Sequence, residues 1–319
     1  MDYTGMRLLG TRYALDRALT SQEREDQLRQ DERLDMEPLA QMSVVRLNST
    51  FLESVDRYYA WRGYLFFVMS LLLAGVVFFF LLMASSIMGR IAHGSALSTP
   101  VENWAVLALM TLICVPPAIF LAYADLQESF TTTYFPIRLN RRTGKVYVFR
   151  PGRPNKPILV ADWHKLFFTL GACQASVVPG RNWDIRAHVL SDDGTMVLDT
   201  FAFSWFSMSK DNLRRHWEFL RRYMSEGPQA VLDAVPVCMP IPDRRESLAF
   251  AISRLHANFK GDEGLWILLL PLWLGSALGR WIAGLTCHVP VWPADIEAAC
   301  RIESGDPCVR DSRTNRDAI

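Results

Sequence analysis

Two long uncharged stretches dominate the pattern of hydrophobic and polar positions along this chain. The first runs from Gly63 to Gly89 and contains YLFFVMSLLLAGVVFFFLLM, and the second, NWAVLALMTLICVPPAIFLAYA, runs from Asn103 to Ala124. A helix that crosses the hydrocarbon core of a bilayer, about 30 Å thick, needs about 20 predominantly apolar residues, and both stretches meet this requirement. Buried helices of soluble proteins seldom stay free of charge for so long. The pattern therefore predicts a transmembrane helical hairpin over residues 63–124, with a short external loop at 89–103.

A third apolar run, GLWILLLPLWLGSALG, covers residues 264–279 and is shorter. It contains Pro271, and Arg280 follows it directly. Three placements agree with this pattern: the run crosses the membrane, lies in the interface, or packs against the first two helices. We favour a membrane-associated segment, 264–293, that does not cross. Gly275 and Gly279 have the spacing that lets two helices approach closely.

After the second apolar stretch the pattern becomes that of β-strands. The short runs FPIRLN and KVYVFR flank a turn that ends at Gly144, and WDIRAHVL and TMVLDTFAFSW flank SDDG. The next segment, SKDNLRRHWEFLRRYMSEGP, is an amphipathic helix with Leu213, Trp217, Leu220 and Met224 on one face. Residues 131–227 are thus predicted to be an antiparallel β domain closed by a C-terminal helix, similar to pleckstrin-homology-type domains; a plain antiparallel α+β domain is the alternative.

The flanking regions complete an α+β membrane protein. Residues 1–62 are predicted to be a helical N-terminal region, because 13–42 are rich in helix formers and charges. Residues 228–319 are predicted to comprise a proline-containing connector, an amphipathic helix, the third apolar run and a loose polar tail. The apolar stripe of that helix is predicted to be Leu248, Ile252, Leu255 and Phe259.

The distribution of lysine and arginine predicts how the hairpin is oriented. Arg46, Arg57 and Arg62 precede the first stretch, the loop between the stretches carries only Arg90, and five basic residues follow the second stretch. Because basic residues are enriched on the cytoplasmic side of membrane proteins, both large polar parts are expected to be cytoplasmic. In a bacterium this places the protein in the inner membrane, as a multi-pass protein.

The overall composition excludes several functional classes. The 319 residues carry 34 lysines and arginines against 33 acidic residues, a net charge of +1, which does not favour nucleic acid as a partner. The N-terminal residues show no secretory signal. The six cysteines are scattered, without the C-x-x-C spacing of a zinc site, and no phosphate-binding loop, nucleophile elbow or H-E-x-x-H motif is present. We therefore expect a non-enzymatic protein without a cofactor or metal.

The candidate binding residues follow the second apolar stretch. They are Arg138, Arg141, Arg142, Lys145 and Arg150. A basic cluster close to a membrane attracts anionic headgroups by about 1 kcal/mol per charge. These residues are therefore expected to serve membrane topology, to contact anionic lipids, or to contact a partner protein.

The phrase YFPIRLNRRTGKVYVF resembles the signature of an uncharacterised bacterial membrane-protein family, a domain of unknown function with the pattern P-[IV]-R-F-N-R-x-x-[GK]-x-V-Y. The match runs from Pro136 to Tyr147, with Leu139 where that family has phenylalanine. The phrases RYMSEGP at 222–228 and PVWP at 290–293 extend the resemblance. Members of this family are often encoded near type VI secretion effector genes. The resemblance implies an accessory or immunity protein that binds such an effector; a lipid-binding or scaffolding module is the alternative.

Overall fold

The computed structural model of the protein describes residues 13–57, 59, 62–93, 99–150, 157–172, 182–241, 246–256 and 263–315. Within these residues the chain forms two five-stranded antiparallel sheets and two long apolar helices, which confirms an α+β protein. The strands are β1 (Arg17–Ala18), β2 (Gln27–Leu28), β3 (Val44–Leu47), β4 (Phe51–Ser54), β5 (Ile137–Asn140), β6 (Lys145–Phe149), β7 (Ile158–Asp162), β8 (Leu166–Ala172), β9 (Trp183–Leu190) and β10 (Met196–Ser207). The helices are α1 (Ser21–Glu25), α2 (Tyr64–His93), α3 (Pro100–Glu128), α4 (Lys210–Ser225), α5 (Leu248–His256), α6 (Glu263–Leu268), α7 (Leu270–Thr286) and α8 (Ala294–Ala299).

The apolar helices interrupt one of the two sheets. This interrupted sheet has the strand order β3-β4-β5-β6-β7, and α2 and α3 lie in the chain between the neighbouring strands β4 and β5. Ser54, the last residue of β4, pairs with Ile137, the first residue of β5. The hairpin is therefore an insertion into a single antiparallel sheet, attached through two adjacent strands.

The second sheet has the order β1-β10-β9-β8-β2, and α4 closes the core between the sheets. Trp217 of α4 stacks on Trp163 with ring centroids 5.5 Å apart and packs against Phe168 at 4.6 Å. Leu213, Trp217 and Leu220 are fully buried and Met224 is partly buried, which confirms the predicted apolar face of this helix. Burial of such large side chains stabilises the domain by about 1.5–3 kcal/mol for each one.

The predicted helical N-terminal region is wrong for residues 13–54. Only Ser21–Glu25 form an α-helix, and the other ordered elements in this part are β1, β2, β3 and β4. Arg17 pairs with Val197 and Gln27 with Thr169, so these segments complete the edges of the second sheet. Tertiary pairing has overridden helix propensity, which is only a weak influence on a short segment. The β domain therefore extends beyond the predicted range of 131–227; residues 1–12 lie outside the described residues.

The predicted loose polar tail is also wrong as far as residue 315. Leu47 and Arg310 exchange two backbone hydrogen bonds, of 2.9 and 2.7 Å, along the outer edge of β3. The Asp306 carboxylate accepts hydrogen bonds from the Ser49 backbone at 2.7 Å and from its hydroxyl at 2.8 Å. An open strand edge exposes unpaired backbone groups, and this segment covers the edge.

Helices α2 and α3 are long and apolar enough to cross a membrane. Their apolar parts are almost entirely unburied, and large side chains such as Phe78, Leu81 and Leu112 are more than half exposed. Pro116 and Pro117 lie inside α3, and Thr99 caps its N-terminus. The predicted loop of 89–103 is shorter in the structure because α2 extends to His93, and residues 94–98 lie outside the described residues.

The third apolar run forms α6 and α7 rather than one helix. α7 packs on α5 and on the first turns of α2. In α5 the buried side chains are Phe250, Ala251, Arg254 and Leu255, so the predicted stripe is correct at Leu255 and wrong at Leu248, which is exposed. Phe259 lies outside the described residues.

Burial of His216 predicts an acid-sensitive core. Its Nδ1 lies 2.8 Å from the Leu39 carbonyl oxygen, and burial lowers its pKa from 6.5 to about 4. Since the folded pKa lies below the unfolded one, the neutral ring contributes stability above pH 6.5, and this contribution is lost as the pH falls towards 4. We expect the free energy of unfolding to drop by about 2 kcal/mol between pH 6.5 and 5 from this group, at about 1.4 kcal/mol per pH unit. Urea unfolding at both pH values would measure it.

The control for this prediction is the variant His216→Gln, whose side chain still donates to a carbonyl but does not titrate. The difference in pH dependence between the two proteins isolates the histidine from every other titrating group. Equal loss of stability on acidification in both proteins would contradict the prediction.

Candidate functional site

The five basic residues predicted as a binding cluster are separated by the fold. Arg138 is buried on β5, where its guanidinium lies 2.6 Å from the Glu53 carboxylate and 3.2 Å from Glu297. It also lies over the rings of Phe51 and Trp292, at 4.4 and 4.8 Å from their centroids. Attraction between a guanidinium and aromatic faces adds to the ion pair. Arg138 therefore belongs to the domain interior rather than to a binding surface.

Arg150 is buried as well. Its Nη1 donates to both carboxylate oxygens of Asp199, at 3.0 and 2.8 Å, and its Nη2 donates to the Thr200 carbonyl. It thereby links the residue that follows β6 to β10 in the other sheet. Arg138 and Arg150 are thus buried in ion pairs with Glu53 and Asp199, which leaves neither side chain exposed for the predicted contact with a lipid or a partner.

The other three residues lie at the β5–β6 turn. Arg141 is exposed beside Gly227, at the end of α4. Arg142 pairs with Glu303 at 2.8 Å, both side chains being more than half exposed, and Lys145 pairs with Asp162 at 2.5 Å. Exposed pairs of this kind contribute about 0–1 kcal/mol, so a ligand that offers a better geometry can displace them. We call Arg141, Arg142 and Lys145 the basic turn.

The basic turn lies at the end of the interrupted sheet that points away from the apolar helices. β4 ends at Ser54 and β5 begins at Ile137 on the side of α2 and α3, whereas Phe51 pairs with Asn140 next to the turn. Four residues of strand span about 13 Å. The turn therefore lies at the end of the sheet remote from α2 and α3, although it follows α3 closely in sequence.

The base of the apolar helices forms a second candidate site. The Glu128 carboxylate, at the end of α3, accepts hydrogen bonds from the backbone N–H of Gly63 at 2.9 Å and of Phe66 at 2.6 Å. These are donors at the start of α2 that have no partner within the helix. The Ser70 hydroxyl donates to Asp125 at 3.0 Å one turn further along. Asp125 and Glu128, at the end of α3, thus fix α2 beside α3.

α7 is attached to this base by a buried ion pair. The Arg280 guanidinium donates from Nε to Glu246 at 2.7 Å, from Nη2 to the same carboxylate at 2.9 Å, and from Nη1 to the Tyr59 carbonyl at 2.5 Å. The guanidinium also lies over the Tyr59 ring, 4.3 Å from its centroid, and the Tyr59 hydroxyl donates a hydrogen bond to Glu246. Burial alone would raise the pKa of Glu246, but the charge of Arg280 and these hydrogen bonds hold it below its usual range. The carboxylate is therefore ionised at neutral pH.

The contact between α7 and α2 requires glycine. A Cβ on Gly279 would lie 2.8 Å from the Gly63 carbonyl oxygen, and a Cβ on Gly275 would overlap the Phe67 ring. Gly63 itself has φ of +86°, a conformation that other residues rarely adopt. The close approach predicted from the spacing of Gly275 and Gly279 is confirmed.

Several residues of these sites were not identified from the sequence. Glu53, Glu128 and Glu246 are acidic residues in separate segments, and nothing in their local sequence names their partners. Arg280 could have been identified from the sequence as a paired residue, since it is a single charge in an otherwise apolar run and such a charge is usually paired. Among the described residues, no group of three or more histidine, cysteine or acidic residues is arranged to hold a metal ion.

Comparison with known proteins identifies a family match. A family model described as "Family of unknown function (DUF6708)" matches residues 113–304, from the middle of α3 to the segment after α8. No curated protein and no solved structure matches the chain.

Proposed function

The chain belongs to the Family of unknown function (DUF6708), and from this premise we propose that it is a non-enzymatic, membrane-anchored protein that acts by binding another protein. The observation that carries the proposal is the insertion of two exposed apolar helices between the paired strands β4 and β5. A domain attached through two adjacent strands is held at the membrane without a flexible tether. Such an arrangement suits a protein that presents a surface at a fixed place.

Membrane insertion is supported by the exposure of the two helices. Large apolar patches in contact with water are rare in soluble proteins, and here they extend along both helices. α2 has 30 residues, or about 45 Å of helix, which exceeds the bilayer core of about 30 Å. The arginines and lysines that flank the helices favour a cytoplasmic domain in the bacterial inner membrane.

The order of the strands supports a binding module. The strands of the interrupted sheet follow one another in sequence, β8, β9 and β10 continue in the second sheet, and α4 closes the core. The pleckstrin-homology-type arrangement stays a prediction, and such a fold by itself assigns no ligand. The resemblance of the PIRLN phrase to a family encoded near type VI secretion effectors makes such an effector the proposed partner, with an immunity or accessory role for this chain.

The basic turn is the surface we propose for this partner. Arg141 and Arg142 lie at the end of the domain away from α2 and α3, where a cytoplasmic protein reaches them more readily than headgroups do. This position favours an acidic protein surface over anionic lipid, so the lipid-binding alternative has less support. Opposite charges across an interface speed association and select the partner.

The test reverses the charge of the basic turn in the full chain. We expect the double variant Arg141→Glu/Arg142→Glu to bind the product of the neighbouring effector gene at least about tenfold more weakly, about 1.4 kcal/mol. Binding would be measured by titration of the purified effector onto the protein in nanodiscs of neutral lipid. Survival of cells that produce the effector would measure the protective role in parallel.

The matched control is Arg24→Glu/Arg29→Glu, which makes the same change in charge at two exposed arginines beside the second sheet. Equal effector affinity for the two double variants would count against the basic turn as the binding surface. Loss of binding to anionic vesicles, with effector binding intact, would favour the lipid alternative. A deletion of the domain alone is a poor test. Strands β3 and β4 precede the apolar helices and β5, β6 and β7 follow them, but all five belong to one sheet, so a deletion on one side would disrupt the whole sheet.

A further inference from the structure

α7 carries an exposed apolar stripe that no element of the described residues covers. Its members are Leu270, Leu274, Leu278, Trp281, Ile282 and Leu285, each 38–44% exposed. At about 100° per residue, these positions fall within an arc of about 120° on the helix surface. The stripe is thus a continuous apolar face and not a scatter of single exposed side chains.

The opposite side of α7 is buried. Trp273, Ser276, Ala277, Arg280 and Ala283 face α5 and the base of α2, and each is at most 5% exposed. Arg280 is the only charged residue of α7, and its charge is turned inward against Glu246. The outer face of the helix therefore presents no charge to its surroundings.

α7 lies alongside the first turns of α2 in the antiparallel direction. Gly279 approaches Gly63, and Gly275 approaches Phe67 one turn further along α2. From Arg280 back to Leu270 the helix extends about 15 Å, at 1.5 Å per residue. This length is about half of a bilayer core of about 30 Å. α7 thus accompanies α2 for the depth of one leaflet.

We propose that the exposed stripe of α7 is embedded among the acyl chains of the leaflet on the domain side of the membrane. This rests on the proposed function, in which α2 and α3 cross the bilayer. The occupant of the stripe is lipid because the stripe continues the apolar surface of α2, with which α7 is packed side by side. Trp281 lies near the polar end, at the level where indole rings favour the interface.

A third membrane element determines how the domain is oriented. Two helices that cross a bilayer as a pair still allow the attached domain to tilt relative to the membrane plane. α7 opposes this tilt, because its outer face must remain in the leaflet while its inner face is fixed to Tyr59 and Glu246 through Arg280. The basic turn then faces away from the membrane permanently.

The test places a genetically encoded fluorescent amino acid at single positions of the full chain in liposomes. The α7 positions are Leu274 and Leu278, the second being a safeguard if the first variant fails to fold. Phe78 on α2 reports on membrane crossing, and Arg142 of the basic turn is the aqueous control. Quenching is measured with lipids that carry a nitroxide near the headgroup or near the chain end.

We expect the shallow nitroxide to quench Leu274 and Leu278 at least about twofold more than Arg142, whereas the deep nitroxide quenches Phe78 most strongly. Water-like emission without quenching at both α7 positions would overturn the inference. Blue-shifted emission without quenching would also overturn it, because protein, such as a second copy of the chain, would then cover the stripe. Quenching at Leu278 with none at Phe78 would keep α7 in the leaflet but refute the proposed crossing by α2.

Discussion

Replacing Arg138 by methionine is expected to lower the free energy of unfolding of the domain by about 3–5 kcal/mol, the usual cost of breaking a buried ion pair. The change leaves the Glu53 carboxylate buried beside two neutral donors, the Tyr134 hydroxyl at 2.6 Å and the Trp292 indole at 3.1 Å. It also removes the guanidinium from between the Phe51 and Trp292 rings. Urea unfolding of the detergent-solubilised chain, followed by tryptophan fluorescence, would measure the loss.

The matched control is Arg142→Met, in the turn that follows the same strand. The pair of Arg142 with Glu303 is exposed, so we expect a change below about 1 kcal/mol. The double variant Arg138→Met/Glu53→Gln should recover part of the lost stability, because the amide carries no buried charge and still accepts hydrogen bonds. If Arg138→Met and Arg142→Met were equally stable, the assignment of Arg138 to the interior would be wrong.

Replacing Arg280 by methionine is expected to have a similar cost, about 3–5 kcal/mol, and a more local consequence. Arg280 is fully buried and holds α7 to Glu246 and to the Tyr59 carbonyl, which precedes α2 in the chain. Without it the Glu246 carboxylate is left buried beside Tyr59, and we expect α7 to separate from α2 before the two sheets unfold. Hydrogen exchange of α7 backbone amides, measured by mass spectrometry on the full chain, would detect this separation.

Two further variants test whether the effect of Arg280→Met arises from the loss of its ion pair with Glu246. Arg301→Met removes an exposed arginine after α8 and should leave exchange in α7 unchanged. Arg280→Met/Glu246→Gln should slow α7 exchange relative to Arg280→Met, because the uncompensated charge is removed. Unchanged exchange in Arg280→Met would show that the glycine contacts of α7 with Gly63 and Phe67 are sufficient to hold it.

The elements with strong local signals were predictable. The two uncharged stretches became α2 and α3, the alternating runs became β5, β6, β9 and β10, and the amphipathic pattern became α4. In each case the signal lies in the spacing or length of apolar residues, which the local sequence contains in full. The turn at Gly144, with φ of +64°, was likewise predictable from the local sequence.

The N-terminal segment shows that local sequence signals are insufficient for some elements. Residues 13–42 contain good helix formers, yet β1 and β2 are two residues long and exist only through pairing with β10 and β8. Pairs such as Arg17 with Val197 join residues far apart in the chain. No periodicity within a short window contains that information, because the stabilising partner lies outside the window.

The candidate site also combines a feature that was predictable from the local sequence with features that depend on distant partners. The sequence identified a group of basic residues, but residues near one another on a strand point to opposite faces and towards different partners. Arg138 pairs with Glu53 and Arg150 pairs with Asp199, whereas Arg141 and Arg142 are exposed in the turn. The accessibility of each of the five basic residues depends on acidic residues that are distant in the chain, such as Glu53 and Glu297, which lie 85 and 159 positions from Arg138.

The apolar helices, the antiparallel character of the domain and its closing helix were predictable, because each depends on a pattern within a few turns or strands. The tertiary structure was needed to show that the helices interrupt one sheet, that the basic turn lies at the far end of that sheet, and that Arg280 and Glu246 attach α7 beside α2. These features depend on strand pairing and buried charge, whose free energies come from partners that are distant in the chain.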